Sequence, residues 1–304
     1  MSATGKVLTA TRKTYNVLVD GRVLRCTLRG RVVVDDSGYD AVKVGDNVRV
    51  SRLEGEEGLI EAVLPRSSQL SRSIKSREYR EHVLMVNIDQ MVVMLSARRP
   101  AFKSGLLDRY LVIAEKNHLQ ARICINKIDL AEPGEFDAIG AYYAGIGYPV
   151  HLTSAEDLTG VEPFAAELNG RVSALVGQSG VGKSSLIQVI APERDLRIGE
   201  VSDRTNKGMH TTTHVELFPL DEATFIADTP GVRELGLWAI YKRDLQQYFV
   251  EIAARAGQCQ FADCQHITEP GCAVQAAAAA GEMLAERYAN YVAIYDSLKS
   301  AHYE

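Results

Sequence analysis

The sequence predicts a multidomain protein with a small β-barrel at the N-terminus, a central α/β domain and a mostly helical C-terminal region. Three observations support this. Short apolar or alternating runs fill residues 1–65, strands and helices alternate from about residue 83 to 235, and an Ala-rich stretch with clustered cysteines follows. The chain of 304 residues is long enough for two or three domains, and we place their boundaries at 1–66, 67–238 and 239–304.

The N-terminal region predicts short strands with turn residues such as Asp20-Gly21 between them. The predicted strands are Val17–Val19, Val23–Thr27, Arg31–Val34, Asn47–Leu53 and Gly58–Val63. Five strands in about 65 residues fit a closed barrel of the OB type, and an unrelated small β-domain is the alternative. The basic segment Pro65–Arg80 is predicted to be a linker.

The residues of the central region predict a parallel sheet with helices on both faces, because the predicted strands are continuous apolar runs and do not alternate apolar with polar residues. The predicted strands are Val83–Val86, Gln90–Leu95, Arg122–Ile125, Pro149–Leu152, Val172–Val176, Val215–Pro219 and Thr224–Ala227. The predicted helices are Leu106–Lys116, Glu135–Tyr143 and Gly182–Ile190.

Composition and charge favour a globular protein that could contact a phosphate backbone. Hydrophobic residues make up 46% and charged residues 24% of the chain, and residues 1–13 lack an apolar signal segment. We therefore expect a cytoplasmic protein with no membrane partner, and we expect a monomer. The net charge is −5, yet residues 1–82 carry more basic than acidic residues. Such a basic part permits contact with nucleic acid, and a solvated β surface is the alternative.

A phosphate-binding loop is predicted at residues 177–184. Gly177-Gln178-Ser179-Gly180-Val181-Gly182-Lys183-Ser184 matches G-x-x-x-x-G-K-[ST] between a predicted strand and a predicted helix, the context that this motif requires. Its glycines allow consecutive N–H groups to point at an anion at the positive end of the helix. Lys183 is expected to reach the β- and γ-phosphates and Ser184 to ligate Mg²⁺, with Ser185 also in the nucleotide-binding set.

A guanine-binding motif is predicted at the end of the strand Arg122–Ile125. Asn126-Lys127-Ile128-Asp129 looks like the N-K-x-D motif of GTPases, in which the Asp accepts hydrogen bonds from guanine and would be unpaired against adenine. Asn126 is expected to hold the loop and the base edge, and the Lys127 stem to lie over the ring. Thr153-Ser154-Ala155 fits the short loop whose backbone N–H meets guanine O6.

Two further segments fit the switches of a GTPase. Asp228-Thr229-Pro230-Gly231 fits D-x-x-G, in which the Asp holds Mg²⁺ through water and the Gly N–H touches the γ-phosphate. His210-Thr211-Thr212-Thr213 lies where a Mg²⁺-binding threonine is needed. Thr212 or Thr213 is the candidate, and a Thr-rich strand start is the alternative.

His210 is the candidate group for orienting the attacking water. Many GTPases carry a Gln after the D-x-x-G glycine, whereas here Val232 follows Gly231 and has no hydrogen-bonding side chain. A neutral imidazole can accept a hydrogen bond from water near physiological pH. The alternative is that His210 contacts only RNA or a phosphate.

The cysteine cluster near the C-terminus predicts a metal site. Cys259, Cys264, His266 and Cys272 form C-x₄-C-x-H-x₅-C, a closed set of three thiols and one imidazole that is typical of structural Zn²⁺. One Zn²⁺ per chain is expected. The alternative is a group of buried thiols beside a surface histidine.

The order of the motifs is circularly permuted, because the N-K-x-D and T-S-A segments precede the phosphate loop. With the segments Phe261–His266 and Glu269–Cys272, the chain resembles the ribosome small subunit-dependent GTPase A family, the RsgA-type circularly permuted GTPases, over its whole length. The resemblance implies an OB-fold domain, a GTPase domain and a zinc domain. It also implies binding to the 30S ribosomal subunit and its 16S rRNA late in assembly, with GTP hydrolysis to GDP and phosphate stimulated by the subunit. Met209 departs from the family by standing where a basic residue is usual.

Two other functions are alternatives to a Mg²⁺-dependent GTPase. A nucleic-acid-binding module could use the nucleotide only to stabilise its fold, but intact Lys183, Ser184 and Asp228 favour an enzyme. A P-loop kinase would need a second-substrate site, which the sequence does not reveal.

Overall fold

The N-terminal region forms a closed five-stranded barrel. The computed structural model describes residues 2–11, 13–29, 42–74, 80–192, 215–228, 237 and 239–298, with backbone only at 72–74, 80 and 228. The barrel strands are β1 (Ser2–Ala10), β2 (Tyr15–Val19), β3 (Arg22–Leu28), β4 (Asn47–Arg52) and β5 (Glu57–Val63). Their order is β1-β2-β3-β5-β4, and β4 pairs back with β1 to close the barrel. The parallel pairing of β3 with β5 and the small size match the predicted OB-like barrel.

Alternation along the strands fills the barrel. In β2 and β4 every second side chain is buried, because successive side chains of a strand point to opposite faces. The resulting core is apolar: Val7, Tyr15, Val17, Val19, Leu24, Cys26, Val48, Val50 and Ile60.

One strand in this part of the chain was missed, and one prediction was wrong. No strand was predicted at β1, because only Val7 and Leu8 are large apolar residues within it. The segment predicted as a linker instead contains β6 (Gln69–Ile74), which pairs antiparallel with β7 (Arg80–Val86). Leu70 and its partner Met85 are fully buried, but the polar majority of β6 concealed the strand. The predicted strand Arg31–Val34 lies outside the described residues.

The central region contains the predicted parallel sheet, but the predicted strand Val83–Val86 is not part of it, because those residues lie in β7 and pair antiparallel with β6. Its strands are β8 (Gln90–Ser96), β9 (Gln120–Asn126), β10 (Val150–Leu152), β11 (Val172–Val176), β12 (Glu216–Pro219) and β13 (Phe225–Asp228). They run in the order β10-β9-β8-β11-β13-β12, and all neighbours are parallel except the β12–β13 pair. The helices are α1 (Ser104–Lys116), α2 (Asp137–Gly145), α3 (Val161–Leu168) and α4 (Lys183–Ile190).

Helices cover both faces of this sheet, which explains why its strands are apolar throughout. Val93 and Leu95 of β8 pack with α1 and α2 in one core, whereas Val92 and Met94 pack with α3 and α4 in another. Because neighbouring residues of a strand face opposite cores, neither face can be polar.

The barrel is joined to the central sheet. Thr9 of β1 pairs with Glu216 of β12, so eleven strands form one continuous sheet. A second junction lies at Gly45, whose carbonyl oxygen accepts a hydrogen bond from Asn87 Nδ2 at 3.0 Å. Beside it, buried Asp46 accepts hydrogen bonds from Arg66 Nε and Nη2 at 2.8 Å and from the backbone N–H of Lys43 at 2.7 Å.

The C-terminal region is mostly helical, as predicted. It contains 3₁₀ turns at Lys242–Tyr248 and Ala256–Gln258 and the helices α5 (Val250–Ala253), α6 (Ala273–Ala279) and α7 (Ala285–Ser297). Leu245, Phe249, Ile252, Tyr291 and Ile294 form its core. Within the described ranges no helix combines the length and apolar character needed to cross a membrane.

The Gly45 junction yields a stability prediction. Gly45 has a φ of +90°, and a Cβ there would overlap the carbonyl oxygen of Val86, whereas Gly21 has a φ of +75° and open space around it. Gly21→Ala should cost about 1–2 kcal/mol of unfolding free energy from its left-handed backbone alone. Gly45→Ala should cost at least about 2 kcal/mol more, because overpacking adds to the same strain. Urea denaturation of both variants measures the difference, and equal losses would contradict the overlap.

Candidate nucleotide site and metal centre

The parallel sheet brings the predicted nucleotide motifs to one edge. The residues 97–103 follow β8, 126–129 follow β9, 153–155 follow β10 and 177–184 follow β11. Since the carboxyl ends of parallel strands lie at the same edge, motifs that are far apart in the chain become neighbours there. We call this side of the sheet the carboxyl edge.

The phosphate-loop sequence adopts the close-packed turn that its glycines allow. Gly180 and Gly182 have φ values of +82° and +92°. A Cβ at Gly177 would overlap the carbonyl oxygen of Met94, and one at Gly182 would overlap the side-chain amide of Asn126. The loop therefore lies against β8 and the N-K-x-D segment at distances that only glycine permits.

Lys183 and the two serines occupy the first turn of α4. Lys183 Nζ donates to the carbonyl oxygens of Gly177 and Gln178 at 3.1 Å, which keeps the ammonium group within the loop. Ser184 and Ser185 are exposed beside it. The positive end of α4 and the ammonium group thus lie at the same loop, an arrangement suited to an anion.

Asn126 and Lys127 clamp the phosphate loop. Buried Asn126 donates from Nδ2 to the carbonyl oxygen of Val181 at 2.9 Å and accepts from Thr153 Oγ1 at 3.2 Å. Lys127, with a φ of +60°, donates from Nζ to the carbonyl oxygens of Gly180 at 2.5 Å and Arg99 at 2.6 Å. These two side chains hold four loops of the carboxyl edge together.

Asp129 lies at the surface in the short 3₁₀ turn Ile128–Leu130. Among the described residues none donates a hydrogen bond to its carboxylate. Its exposure leaves both carboxylate oxygens accessible to a ligand. The backbone N–H of Ile128 donates to the carbonyl oxygen of Thr153 at 3.1 Å, and this hydrogen bond fixes the turn beside residues 153–155.

Ser154 shapes the adjacent turn. Its backbone N–H donates to the carbonyl oxygen of Thr159 at 2.9 Å, and its Oγ accepts from the N–H groups of Glu156 and Asp157 at 3.2 Å. The backbone N–H of Ala155, in the same turn, donates to no acceptor in the described part of the chain.

Sequence reasoning missed the loop that follows β8. Arg99 has a φ of +51° and supplies a carbonyl oxygen to Lys127. Ser96 Oγ donates to the carbonyl oxygen of Pro100 at 2.7 Å and closes the same loop. The signal in the sequence was Arg98-Arg99-Pro100 directly after an apolar strand, at the carboxyl edge where ligand-binding loops lie.

Several predicted residues lie outside the described part of the chain. These are His210, Thr212, Thr213 and Gly231. Asp228 is described by its backbone, which pairs with Leu175 at the carboxyl end of β11 and so lies at the same edge as the phosphate loop.

The four predicted metal ligands converge in the C-terminal region. One ligand atom from each of Cys259, Cys264, His266 and Cys272 lies within 4.8 Å of the others. Cys259 Sγ is 3.9 Å from Cys272 Sγ, and His266 Nδ1 is 3.5 Å and 3.4 Å from these two sulfurs. Three of the four residues are buried, so this group could hold a metal ion shielded from water.

Neighbouring groups orient these ligands. Burial lowers the pKa of His266, although the nearby charge of Glu269 acts to raise it. The lowered pKa favours the neutral imidazole that a metal needs. The other ring nitrogen, Nε2, lies 2.9 Å from Gln246 Oε1. Partial burial would raise the pKa of Glu269, but backbone N–H groups of Gln265, Ile267 and Thr268 donate to its carboxylate and lower the pKa to about 2. The loop between the second and fourth ligands is therefore fixed by an ionised carboxylate.

A phosphate loop, an N-K-x-D clamp and a D-x-x-G strand on one parallel sheet, in permuted order, define a circularly permuted P-loop GTPase. The family model described as RsgA GTPase matches residues 63–238, and the chain belongs to this family of GTP hydrolases.

Relatives match the chain over nearly its whole length. The small ribosomal subunit biogenesis GTPase RsgA of Gemmatimonas aurantiaca is 43% identical over 300 residues, covering 98% of both chains. That of Chlorobaculum parvum is 41% identical over 303 residues, covering 97% of both. The crystal structure of YjeQ from Thermotoga maritima matches with a TM-score of 0.78 at 30% identity, over 99% of this chain and all of that one. YloQ, described as a circularly permuted GTPase, matches with a TM-score of 0.75 at 31% identity, over 100% of this chain and 98% of that one.

Proposed function

We propose that this GTPase acts in maturation of the small ribosomal subunit. In this proposal it binds the 30S subunit late in assembly, contacts the 16S rRNA, and hydrolyses GTP to GDP and phosphate faster when bound. The observation that carries the proposal is end-to-end similarity to proteins named small ribosomal subunit biogenesis GTPases, at 43% and 41% identity. We propose that the chain acts in the cytoplasm, alongside a ribosomal partner, and that it does so as a monomer.

The barrel is the proposed rRNA-binding part. Arg25 on β3 and Arg49 on β4 are exposed because they alternate with the buried side chains of the barrel core, and Arg22 is exposed at the start of β3. Exposed guanidinium groups on a barrel surface can contact phosphates. A separate rRNA-binding role for the barrel supports the proposed domains 1–66, 67–238 and 239–304.

The carboxyl edge is the proposed GTP site. Asn126, Lys127, Ile128 and Asp129 would bind guanine with the Ala155 N–H on O6, and residues 177–185 would bind the phosphates. Mg²⁺ would be held by Ser184, Asp228 and Thr212 or Thr213, and it would supply positive charge to the β- and γ-phosphates. Lys183 inside the loop would add a second cation, and the Gly231 N–H would meet the γ-phosphate.

The cysteine cluster is the proposed structural zinc site. Four donors arranged tetrahedrally around Zn²⁺ at its usual bond lengths lie about 3.5–3.8 Å apart. The separations of 3.4, 3.5 and 3.9 Å between three of the ligand atoms agree with this spacing. With four protein ligands the site has no position left for a catalytic water, so its role would be to hold the C-terminal region together.

Guanine specificity is predicted to rest on Asp129. Asp129→Asn replaces an acceptor with a donor, so the variant should bind xanthosine diphosphate better than GDP, whereas the wild type should prefer GDP over both XDP and ADP. Glu132→Gln, an exposed neighbour on the same loop, serves as the control and should keep the wild-type preference. Calorimetric titration measures the affinities, and equal wild-type affinity for ADP and GDP would contradict the assignment.

Zinc is predicted to be bound by Cys272 and its three partners. Metal analysis of the purified protein should find about one zinc per chain. Cys272→Ser should lose the metal and expose the C-terminal region to protease, since metal binding supplies folding free energy. Cys26→Ser changes another buried thiol, one whose pKa burial raises to about 11, and should retain zinc. Metal-free wild-type protein with a protease-resistant C-terminal region would overturn the zinc proposal.

The proposed function is tested by phosphate release with and without purified 30S subunits. The wild type should be stimulated by the subunit, and Lys183→Ala should be inactive in both conditions. His210→Ala should bind GTP and subunits normally but lose roughly 10²-fold of the stimulated turnover, because no group would then orient the attacking water. His214→Ala is the matched control and should behave as the wild type.

The outcomes separate the roles of His210. Unchanged stimulated turnover in His210→Ala would exclude catalysis by this histidine. Loss of subunit binding would assign it an RNA contact. A wild type that binds subunits without any stimulation would contradict the proposed coupling between subunit binding and hydrolysis.

A further inference from the structure

A buried arginine links the C-terminal region to the GTPase sheet. Arg287 of α7 has a side chain with no exposed surface. Its Nη1 donates to Asp108 Oδ1 at 2.6 Å, and its Nε and Nη2 donate to Glu251 at 2.7 and 3.2 Å. The guanidinium carbon lies 4.3 Å from the Phe249 ring centroid. One side chain thus joins three helices: α1, α5 and α7.

The remaining polar atoms of this cluster are also paired. Tyr143 Oη and Asn290 Nδ2 each donate to Asp108 at 2.7 Å. Burial alone would lower the pKa of Arg287, but attraction by Asp108 and hydrogen bonding to Glu251 hold that pKa well above its usual range. The guanidinium is therefore charged. Burial raises the pKa of its partner Asp108, while attraction by Arg287 and the hydrogen bond from Tyr143 oppose that rise.

These buried charges orient α7 against α1 more than they increase the stability of the fold. Removing ions from water is costly, and apolar side chains of equal volume often pack the same space at least as well. A planar guanidinium between two carboxylates, however, fixes the rotation and height of α7 against α1, because its donors point in set directions.

The adjoining face of α7 is attached to the cysteine cluster. Tyr288 Oη donates to the carbonyl oxygen of His266 at 2.8 Å, and Tyr291 Oη donates to that of Gln265 at 2.9 Å. Arg287 and Asn290 point to α1 while Tyr288 and Tyr291 point to the metal-ligand loop. The helix therefore connects that loop to α1.

The N-terminal end of α1, close to Asp108, leads into the nucleotide site. Asp108 lies on the second turn of α1, and residues 97–103 connect that helix to β8. The Arg99 carbonyl oxygen in this loop accepts from Lys127 Nζ at 2.6 Å, and the same Nζ donates to the Gly180 carbonyl oxygen of the phosphate loop at 2.5 Å. A shift of α1 would therefore move an acceptor of the Lys127 clamp.

We propose that Arg287 is a positioning residue for guanine-nucleotide binding, which acts through Asp108, α1 and residues 97–103 on Lys127. The inference rests on the proposed placement of GTP at the carboxyl edge. In this proposal the C-terminal region contributes to the affinity of the nucleotide site, in addition to forming its own fold.

The test uses variants that separate position from folding. Asp108→Asn/Glu251→Gln/Arg287→Met removes the three charges together, so that no carboxylate is left buried without its partner. Arg109→Met is the matched control, because Arg109 also joins α1 to α7, through Ser297 Oγ at 3.5 Å, but from an exposed position. Calorimetric titration with GDP reports the dissociation constant and the number of sites separately.

The triple variant should retain zinc and bind GDP about tenfold more weakly per folded site, a typical size for coupling between distant sites. Arg109→Met should bind as the wild type does. A purely structural role would lower the number of sites without changing the dissociation constant. An unchanged dissociation constant in the triple variant therefore overturns the proposal.

A double-mutant cycle tests the route through Lys127. If Arg287 acts on this clamp, Lys127→Ala should weaken GDP binding much less in the triple variant than in the wild type, whereas additive losses would overturn the route. Should the triple variant not fold, Arg287→Lys keeps the charge but loses the planar fork, and wild-type affinity in that variant would overturn the proposal. A wild type that does not prefer GDP to ADP would refute the proposed nucleotide site instead, before any variant is compared.

Discussion

The parallel pairing of β8 with β9 and β11 is the interaction on which the rest of this structure depends. It aligns the ends of three strands, so that a phosphate loop and an N-K-x-D segment some fifty residues apart are joined by direct hydrogen bonds. Sheet pairing depends on where strands lie and not on the order in which the chain visits them. A permuted chain can therefore assemble the same edge as an unpermuted one.

The permutation changes what is attached to that edge. β12 and β13 are the last strands of the GTPase sheet in chain order, and the chain continues from them into the C-terminal region. On the other side, β12 pairs with β1 of the barrel. The GTPase sheet thus has the barrel hydrogen-bonded to one edge and the cysteine-containing region packed against α1.

Buried charges mark the junctions between these parts. Asp46 with Arg66 lies where the barrel meets the central sheet, and Arg287 with Asp108 and Glu251 lies where the C-terminal region meets α1. The hydrophobic effect has no preferred direction, whereas bidentate and charge-assisted hydrogen bonds require fixed directions. The relative positions of the parts are set at these few points.

The motifs, the parallel sheet, the barrel and the metal-ligand set could be predicted from the amino-acid sequence, because each is encoded in neighbouring residues: glycine spacing, apolar runs, and cysteines with one histidine. Tertiary packing was needed to reveal the strands β1 and β6, whose few apolar residues acquire a pattern only when paired. It also decided the role of Arg99, whose backbone carbonyl oxygen binds Lys127, since a main-chain acceptor leaves no trace in residue type. Arg287 and Asp108 are 179 residues apart and each resembles an ordinary surface charge in its own segment. Their pairing exists only once α1 and α7 have packed and excluded water around them.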